Sequence, residues 1–163
     1  MKRLLFCRHA KSSWKDYSLK DIDRPLNKRG QRDAPFIAQK LKTYLGSIDL
    51  LFTSPAKRAV LTRSYFINII MHKNLALNES IYEASLDDLL NVICDLDDEY
   101  STVMIFGHNP SLTSLYNHFS DDYIVNLPTC GIFGLSSVSL AWSDIDTTNT
   151  TVDFLIYPKM YIL

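Results

Sequence analysis

The chain has 163 residues, of which 47% are hydrophobic and 21% charged, and its formal net charge is -1. A single globular domain over residues 1–163 is expected, since a chain of this length can bury roughly two-thirds of its unfolded surface, and the composition excludes a disordered segment. Near-neutral charge, with aromatic residues not interleaved with the basic ones in any recognisable stacking motif, argues against nucleic acid as a partner.

The first apolar run, Leu4 to Cys7, reads as a buried central strand that ends abruptly in Arg8, His9 and Lys11. Residues 15–29, polar and broken by Pro25, read as a loop over that strand's end. A helix is predicted from Lys28 to Leu45, with Ala34, Ile37, Ala38 and Leu41 at helical spacing and Gly46 as its C-cap. Pro35 within it implies a kink or a late start.

Asp49 to Thr53 reads as a second strand, followed by Ser54 as N-cap and Pro55 at the first position of a helix running to about Met71. Short extended pieces lead to Ser85, which should cap a helix carrying Asp87 and Asp88 in its first turn. Leu86, Leu89, Leu90, Ile93 and Leu96 form its buried stripe. The run Thr102 to Phe106 is the clearest strand, ending in Gly107 and His108, with Asn109 and Pro110 expected to open the next helix. Gly131 to Leu140 and Val152 to Tyr157 read as an antiparallel hairpin, and the terminal YPKMYIL as an edge strand and tail.

Strands alternating with helices predict an α/β sandwich with a mostly parallel sheet and an antiparallel edge, in which ligands collect at the carboxyl ends of strands. Cys7, Cys94 and Cys130 have neither disulfide nor zinc spacing. The opening MKRLLFCRHA is too short in apolar residues for a signal peptide or a membrane span, so cytoplasmic residence is expected.

Three predicted strand ends carry cations: Arg8 and His9, Arg58, and His108. A helix N-terminus disfavours a positive side chain, so Arg58 is better explained if an anion lies between it and the helix end. Two guanidinium forks converging there suit a tetrahedral oxyanion, most naturally phosphate. The competing reading pairs Arg8 and Arg58 with carboxylates such as Asp16 or Asp49. Cys7 is no phosphatase nucleophile, because that chemistry needs an arginine six positions on, where Ser13 stands.

The segments CRHAKSSW, DRPLNKRG, SPAKRAVLT, YEAS and FGHNP, in this order, resemble the histidine phosphatase superfamily, and within it the short SixA-like phosphohistidine phosphatase branch. The resemblance spans the chain to about residue 135. Ala10 departs from the glycine of many members and leaves the turn intact. The resemblance implies a phosphoglycerate mutase-like, three-layer α/β/α sandwich with no cofactor and no metal. It implies that His9 is the nucleophile, forming a phosphohistidine that water then hydrolyses. Arg8, Arg58 and His108 would hold the equatorial oxygens, and their proximity would keep His9 neutral. Glu83 occupies the position from which many members supply the acid, with Asp16, Asp21 and Asp23 as rivals. Arg24, Lys11 and Ser12 could add substrate contacts, although Arg24 could equally staple the loop through Asp21 or Asp23. Thr129 should lie near the site, whereas His72 and His118 read as structural.

The implied partner is a phosphate-bearing substrate, either a protein phosphohistidine or a small sugar or nucleotide phosphate. Mutases of the superfamily usually carry an inserted segment over the site, and the short gap from Arg58 to Glu83 favours hydrolysis. A non-catalytic phosphate-binding module is the alternative from a different class.

Overall fold

The computed structural model describes residues 1–162. Its sheet has six strands: β1 (Lys2–Arg8), β2 (Ile48–Thr53), β3 (His72–Leu77), β4 (Thr102–Gly107), β5 (Ile132–Ser137) and β6 (Thr150–Ile156), in the spatial order β3-β2-β4-β1-β5-β6. The pairs from β3 to β1 are parallel, and β1–β5 and β5–β6 are antiparallel. The expected mixture of a parallel sheet and an antiparallel edge is therefore found. Among the described residues, no helix is long and apolar enough to cross a membrane.

Alternation along β1 sorts its residues between two cores. Leu4 and Phe6 face one, with Val103 and Ile105 of β4, under helices α3 (Leu86–Cys94) and α4 (Ser111–Phe119). Leu5 and Cys7 face the other, with Met104 and Phe106, under α1 (Lys28–Lys42) and the flank of α2 (Lys57–Ile67). A strand buried on both faces must be apolar at every position, which is why β1 and β4 read as continuous runs.

Helix α1 starts at Lys28, where Asn27 caps it by accepting from Gly30 N at 2.9 Å. The late start proposed for Pro35 is thus wrong, and Pro35 lies inside the helix. A proline there costs on the order of 3 kcal/mol. Burial of Ile37 and Leu41 offsets it, at roughly 1.5–3 kcal/mol per side chain. The helix ends at Lys42 with Thr43 as C-cap, so Gly46 does not cap it.

Three further boundaries differ from expectation. Helix α2 begins at Lys57 after the N-cap Ala56, and it ends at Ile67 because the chain turns into β3. Pro110, not Asn109, is the N-cap of α4. Strand β6 stops at Ile156, and Pro158–Met160 form a 3-10 turn where an edge strand was expected. Leu163, the last residue of that predicted strand and tail, lies outside the described residues. By contrast, Ser85 caps α3 as expected, in a reciprocal box with Asp88.

Candidate active site

The carboxyl ends of β1, β4 and β2 are adjacent and tied to one another by backbone hydrogen bonds. His9 N donates to Gly107 O at 3.0 Å, and Ser54 N donates to Phe106 O at 3.1 Å. These ties bring Arg8, His9, His108 and the start of α2, with Arg58, to one place. The imidazoles of His9 and His108 lie with ring centroids 5.2 Å apart, and each is less than a tenth exposed.

The loop after β1 is locked from several sides. Ala10 N donates to Thr62 Oγ1 at 2.9 Å, and Thr62 donates in turn to Arg58 O at 2.7 Å. Lys11 O accepts from Asn27 N at 2.9 Å. Gly30 in the first turn of α1 touches the Lys11 backbone so closely that a Cβ would collide with its carbonyl. On the far side Cys130 N donates to both Arg8 O and His9 O, at 3.1 and 3.2 Å, and holds a φ of 62. That conformation costs a non-glycine residue about 1 kcal/mol or more, offset here by the two carbonyls it satisfies.

His9 Nδ1 lies 2.8 Å from Ala10 O. A carbonyl oxygen can only accept, so the ring carries a proton on Nδ1, and in the neutral form Nε2 presents its lone pair. Burial lowers the pKa of His9 to about 3, helped by the charges of His108, Arg58 and Arg8 and opposed by the bond to Ala10 O. Burial, with Arg58 and Arg8, likewise brings His108 to about 4, against the pull of Asp21. Both rings are neutral at pH 7.

His108 Nε2 is 2.8 Å from Ser54 Oγ, which also accepts from Ala56 N at 3.2 Å. The Ser54 hydroxyl can donate to Nε2 or accept from it, and when it donates, neutral His108 carries its own proton on Nδ1. Nδ1 of His108 is buried and, among the described residues, without a partner, as are Arg8 Nε, Arg58 Nε and Arg24 Nη1. Buried polar atoms of native proteins are nearly always paired. The orphaned nitrogens of His108, Arg8 and Arg58, the groups whose charges lower the pKa of His9, are donors suited to an anion beside that ring.

The remaining bonds of these cations hold them in position. Arg8 Nη1 donates to Leu127 O at 2.7 Å. Arg58 donates through Nη1 to Asp21 O at 2.7 Å and through Nη2 to Asp21 Oδ2 at 3.0 Å. Asp21 also accepts from Arg24 Nε at 3.2 Å and from Tyr82 OH at 2.7 Å. The Arg24 guanidinium stacks over Trp14, 3.5 Å from the ring centroid. Partial burial pushes the Asp21 carboxyl up, but the bonds from Tyr82 and Arg58 and the charges of Arg58 and Arg24 bring it down to about 2. The carboxylate pairing expected for Arg58 thus exists, with Asp21 rather than Asp16 or Asp49. Asp49 pairs with Lys73, and Asp16 accepts from Ser18.

Arg24 does staple the loop through Asp21, while its Nη1 stays free. Ser12 is buried and bridges to the Leu26 backbone, and Lys11 lines a cavity beside Arg8. Thr129 accepts from Arg29 Nη2 at 3.0 Å. Glu83 is exposed on the segment before α3 with a φ of 55, next to Tyr82, whose ring meets His108 edge-on at 5.7 Å between centroids. Sequence reasoning missed Ser54, Thr62 and Tyr82 as parts of this network. Thr62 stands four residues after Arg58 and Tyr82 directly before Glu83, so both lie within segments already singled out. Among the described residues, no cluster of three His, Cys, Asp or Glu side chains could hold a metal ion.

The family model described as "Histidine phosphatase superfamily (branch 1)" matches residues 4–89. An uncharacterized chloroplastic protein of Arabidopsis thaliana is 32% identical over 153 residues, which cover 88% of this chain and 70% of that protein. A 2,3-bisphosphoglycerate-dependent phosphoglycerate mutase of Staphylococcus saprophyticus is 33% identical over 92 residues, or 50% of this chain and 40% of the mutase. Among solved structures, a protein of Agrobacterium tumefaciens assigned as phosphohistidine phosphatase SixA superposes with a TM-score of 0.79. It is 25% identical and covers 96% of this chain and 98% of its own. A protein histidine phosphatase SixA complexed with tungstate shares the fold at a TM-score of 0.80 and 17% identity, covering 97% of this chain and 98% of its own. The profile match over more than half the chain, the Arabidopsis relative and the phosphoglycerate mutase-like three-layer sheet agree: the chain belongs to the histidine phosphatase superfamily.

Proposed function

We propose that this protein is a phosphatase that transfers a phosphoryl group to His9 Nε2 and then to water, and that its substrate is a phosphohistidine borne by another protein. The observation that carries the reading is the set of orphaned buried nitrogens on Arg8, Arg58 and His108 beside a neutral His9. Such donors suit the three non-bridging oxygens of a phosphoryl group, whose charge they would stabilise as it spreads in the transition state. The stabilisation comes from fixed cations, so the reaction so proposed runs without a metal.

In the first step the Nε2 lone pair forms a bond to phosphorus while the bond to the leaving group breaks, and Glu83 gives that group its proton. In the second, Glu83 takes a proton from water as its oxygen attacks the phosphohistidine, releasing inorganic phosphate and neutral His9. Asp21 is a poor acid for this role, being ionised and engaged by three side chains. The likeness to the SixA structures supports a protein phosphohistidine as substrate, as does the exposure of Glu83.

The test is to incubate the protein with a histidine-phosphorylated protein and quench without acid. Phosphate should be found on His9. A protein that binds phosphate yet never forms this adduct would instead be a binding module. Hydrolysis of small phosphate esters alone, with histidine-phosphorylated proteins untouched, would shift the substrate class.

A further inference from the structure

A cavity of about 600 Å3 opens beside Arg8. Its walls come from the start of α1, the 126–129 segment and the C-terminal turn. Among the described residues that line it, Arg8, Lys11, Arg29, Arg32 and Lys159 stand against the one carboxylate of Asp33, a local balance of +4 in a chain whose formal net charge is -1.

The cluster is built rather than accidental. Asp33 is buried and serves two arginines at once, with Arg32 Nη2 at 2.8 Å and Arg29 Nε at 3.7 Å. Arg29 is fixed a second time by its bond to Thr129 Oγ1. One carboxylate thus orients two guanidinium groups without neutralising them, and both remain open to solvent, 47% and 62% exposed. Like charges held side by side in a concave wall focus a positive potential and draw anions. The cavity's neighbourhood is also apolar. Tyr123 and Val125 stand 78% and 87% exposed on the segment leading to the cavity-lining Asn126, and Tyr157 and Ile162 form part of the wall. Exposed arginine and tyrosine beside apolar side chains are the composition of a protein interface.

We infer that this cavity is the docking surface for an acidic face of the phosphohistidine-bearing protein, its carboxylates meeting Arg29, Arg32 and Lys159 while the phosphoryl group enters between Arg8 and His9. The inference rests on the substrate reading above and adds to it a position and a charge. Among the described residues Lys159 makes no ion pair, and the ion pair and side-chain hydrogen bond of Arg32 both go to Asp33, so both can be changed without touching the reacting groups.

The experiment compares wild type with Lys159→Glu and with Arg32→Gln on three substrates. These are an acidic protein phosphorylated on histidine, the same protein with the carboxylates flanking that histidine converted to amides, and free phosphohistidine. Each variant should lose about tenfold in kcat/KM on the acidic protein, mostly in KM, in line with charged pairs across an interface. The loss should shrink on the amide version and vanish on free phosphohistidine, whose unchanged turnover also shows that the variants fold. In wild type, added salt should depress only the first reaction steeply. Equal losses on all three substrates, or none on the acidic protein, would overturn the docking surface while leaving the substrate reading intact. Failure of wild type to act on either phosphoprotein, with free phosphohistidine hydrolysed, would instead remove the substrate reading and the docking surface with it.

Discussion

The floor of the site and its rim are built by different means. Arg8, His9, Arg58 and His108 sit at strand ends and a helix start whose backbone bonds, with Thr62 and Ser54 behind them, leave little freedom. Glu83 and the segment from Trp14 to Asp23 stand at the surface, and the rim is tied down mainly at Asp21. A floor of this kind fits one chemistry, positioned before the substrate arrives. The rim can vary without disturbing it, and there a choice of substrate can be written.

The comparison is broken most directly at the floor. His9→Ala should lower kcat by on the order of 10^4-fold or more, while inorganic phosphate still binds to the remaining cations. Retained turnover would remove His9 as the nucleophile. Arg58→Lys keeps the charge and loses the planar fork, and kcat should fall about 100-fold, because the single nitrogen of an ammonium cannot span the separate positions that Nη1, Nη2 and Nε occupy towards Asp21 and the phosphate. If lysine restored near-normal rates, geometry would matter less at the floor than charge.

Changes at the rim should be smaller and should depend on the substrate. Glu83→Gln should slow substrates with poor leaving groups by roughly 10- to 100-fold and leave activated aryl phosphates nearly untouched, as expected when only the proton transfer is lost. Asp21→Asn should lower kcat by about tenfold on every substrate alike, since Asp21 as read here orients Arg58 and Arg24 and carries no proton to the leaving group. A leaving-group dependence for the Asp21 variant, absent from the Glu83 one, would exchange the two roles.

The floor was legible in the sequence and much of the rim was not. A doubly buried strand must be apolar, so the abrupt change from Cys7 to Arg8 and from Phe106 to His108 marked strand ends in the parallel half of a sheet. Arg58 was found by its place near a helix start. The failures have a common cause, which is that a local signal had a second use in the fold. Ser54 before proline is a capping signal, yet its hydroxyl holds His108 and the helix begins later. Asn109 before Pro110 reads as a cap too, whereas its amide donates to Asn126 and to Leu127 O. Pro35 predicts a break that burial of the neighbouring stripe outweighs. Asp21, one of three carboxylates in a polar loop, becomes the hub of the rim through Arg58 and Tyr82, which lie 37 and 61 residues further on. No spacing rule connects those positions.

The smallest effect concerns protons rather than rates, and it tests the floor without any substrate. The folded pKa values of His9 and His108, about 3 and about 4, lie below the ordinary value near 6.5 that each ring regains on unfolding. Between pH 4.5 and 6 the unfolded chain therefore binds protons at these rings that the folded chain refuses, so stability should fall as pH falls through this window. Each ring can contribute a slope of up to about 1.4 kcal/mol per pH unit. Asp21, whose folded value is also depressed, stabilises the fold above the ordinary carboxylate range and loses that contribution only below about pH 4, so it does not confuse the window. Chemical unfolding of wild type and of His9→Asn at pH 4.5 to 6 isolates one ring: the variant should lose less stability on acidification, by close to one proton's worth of slope. Parallel slopes would mean that His9 titrates normally in the folded protein. Its neutrality at pH 7 would then follow from its intrinsic pKa alone, and the orphaned cations around it would have no measurable hold on its charge.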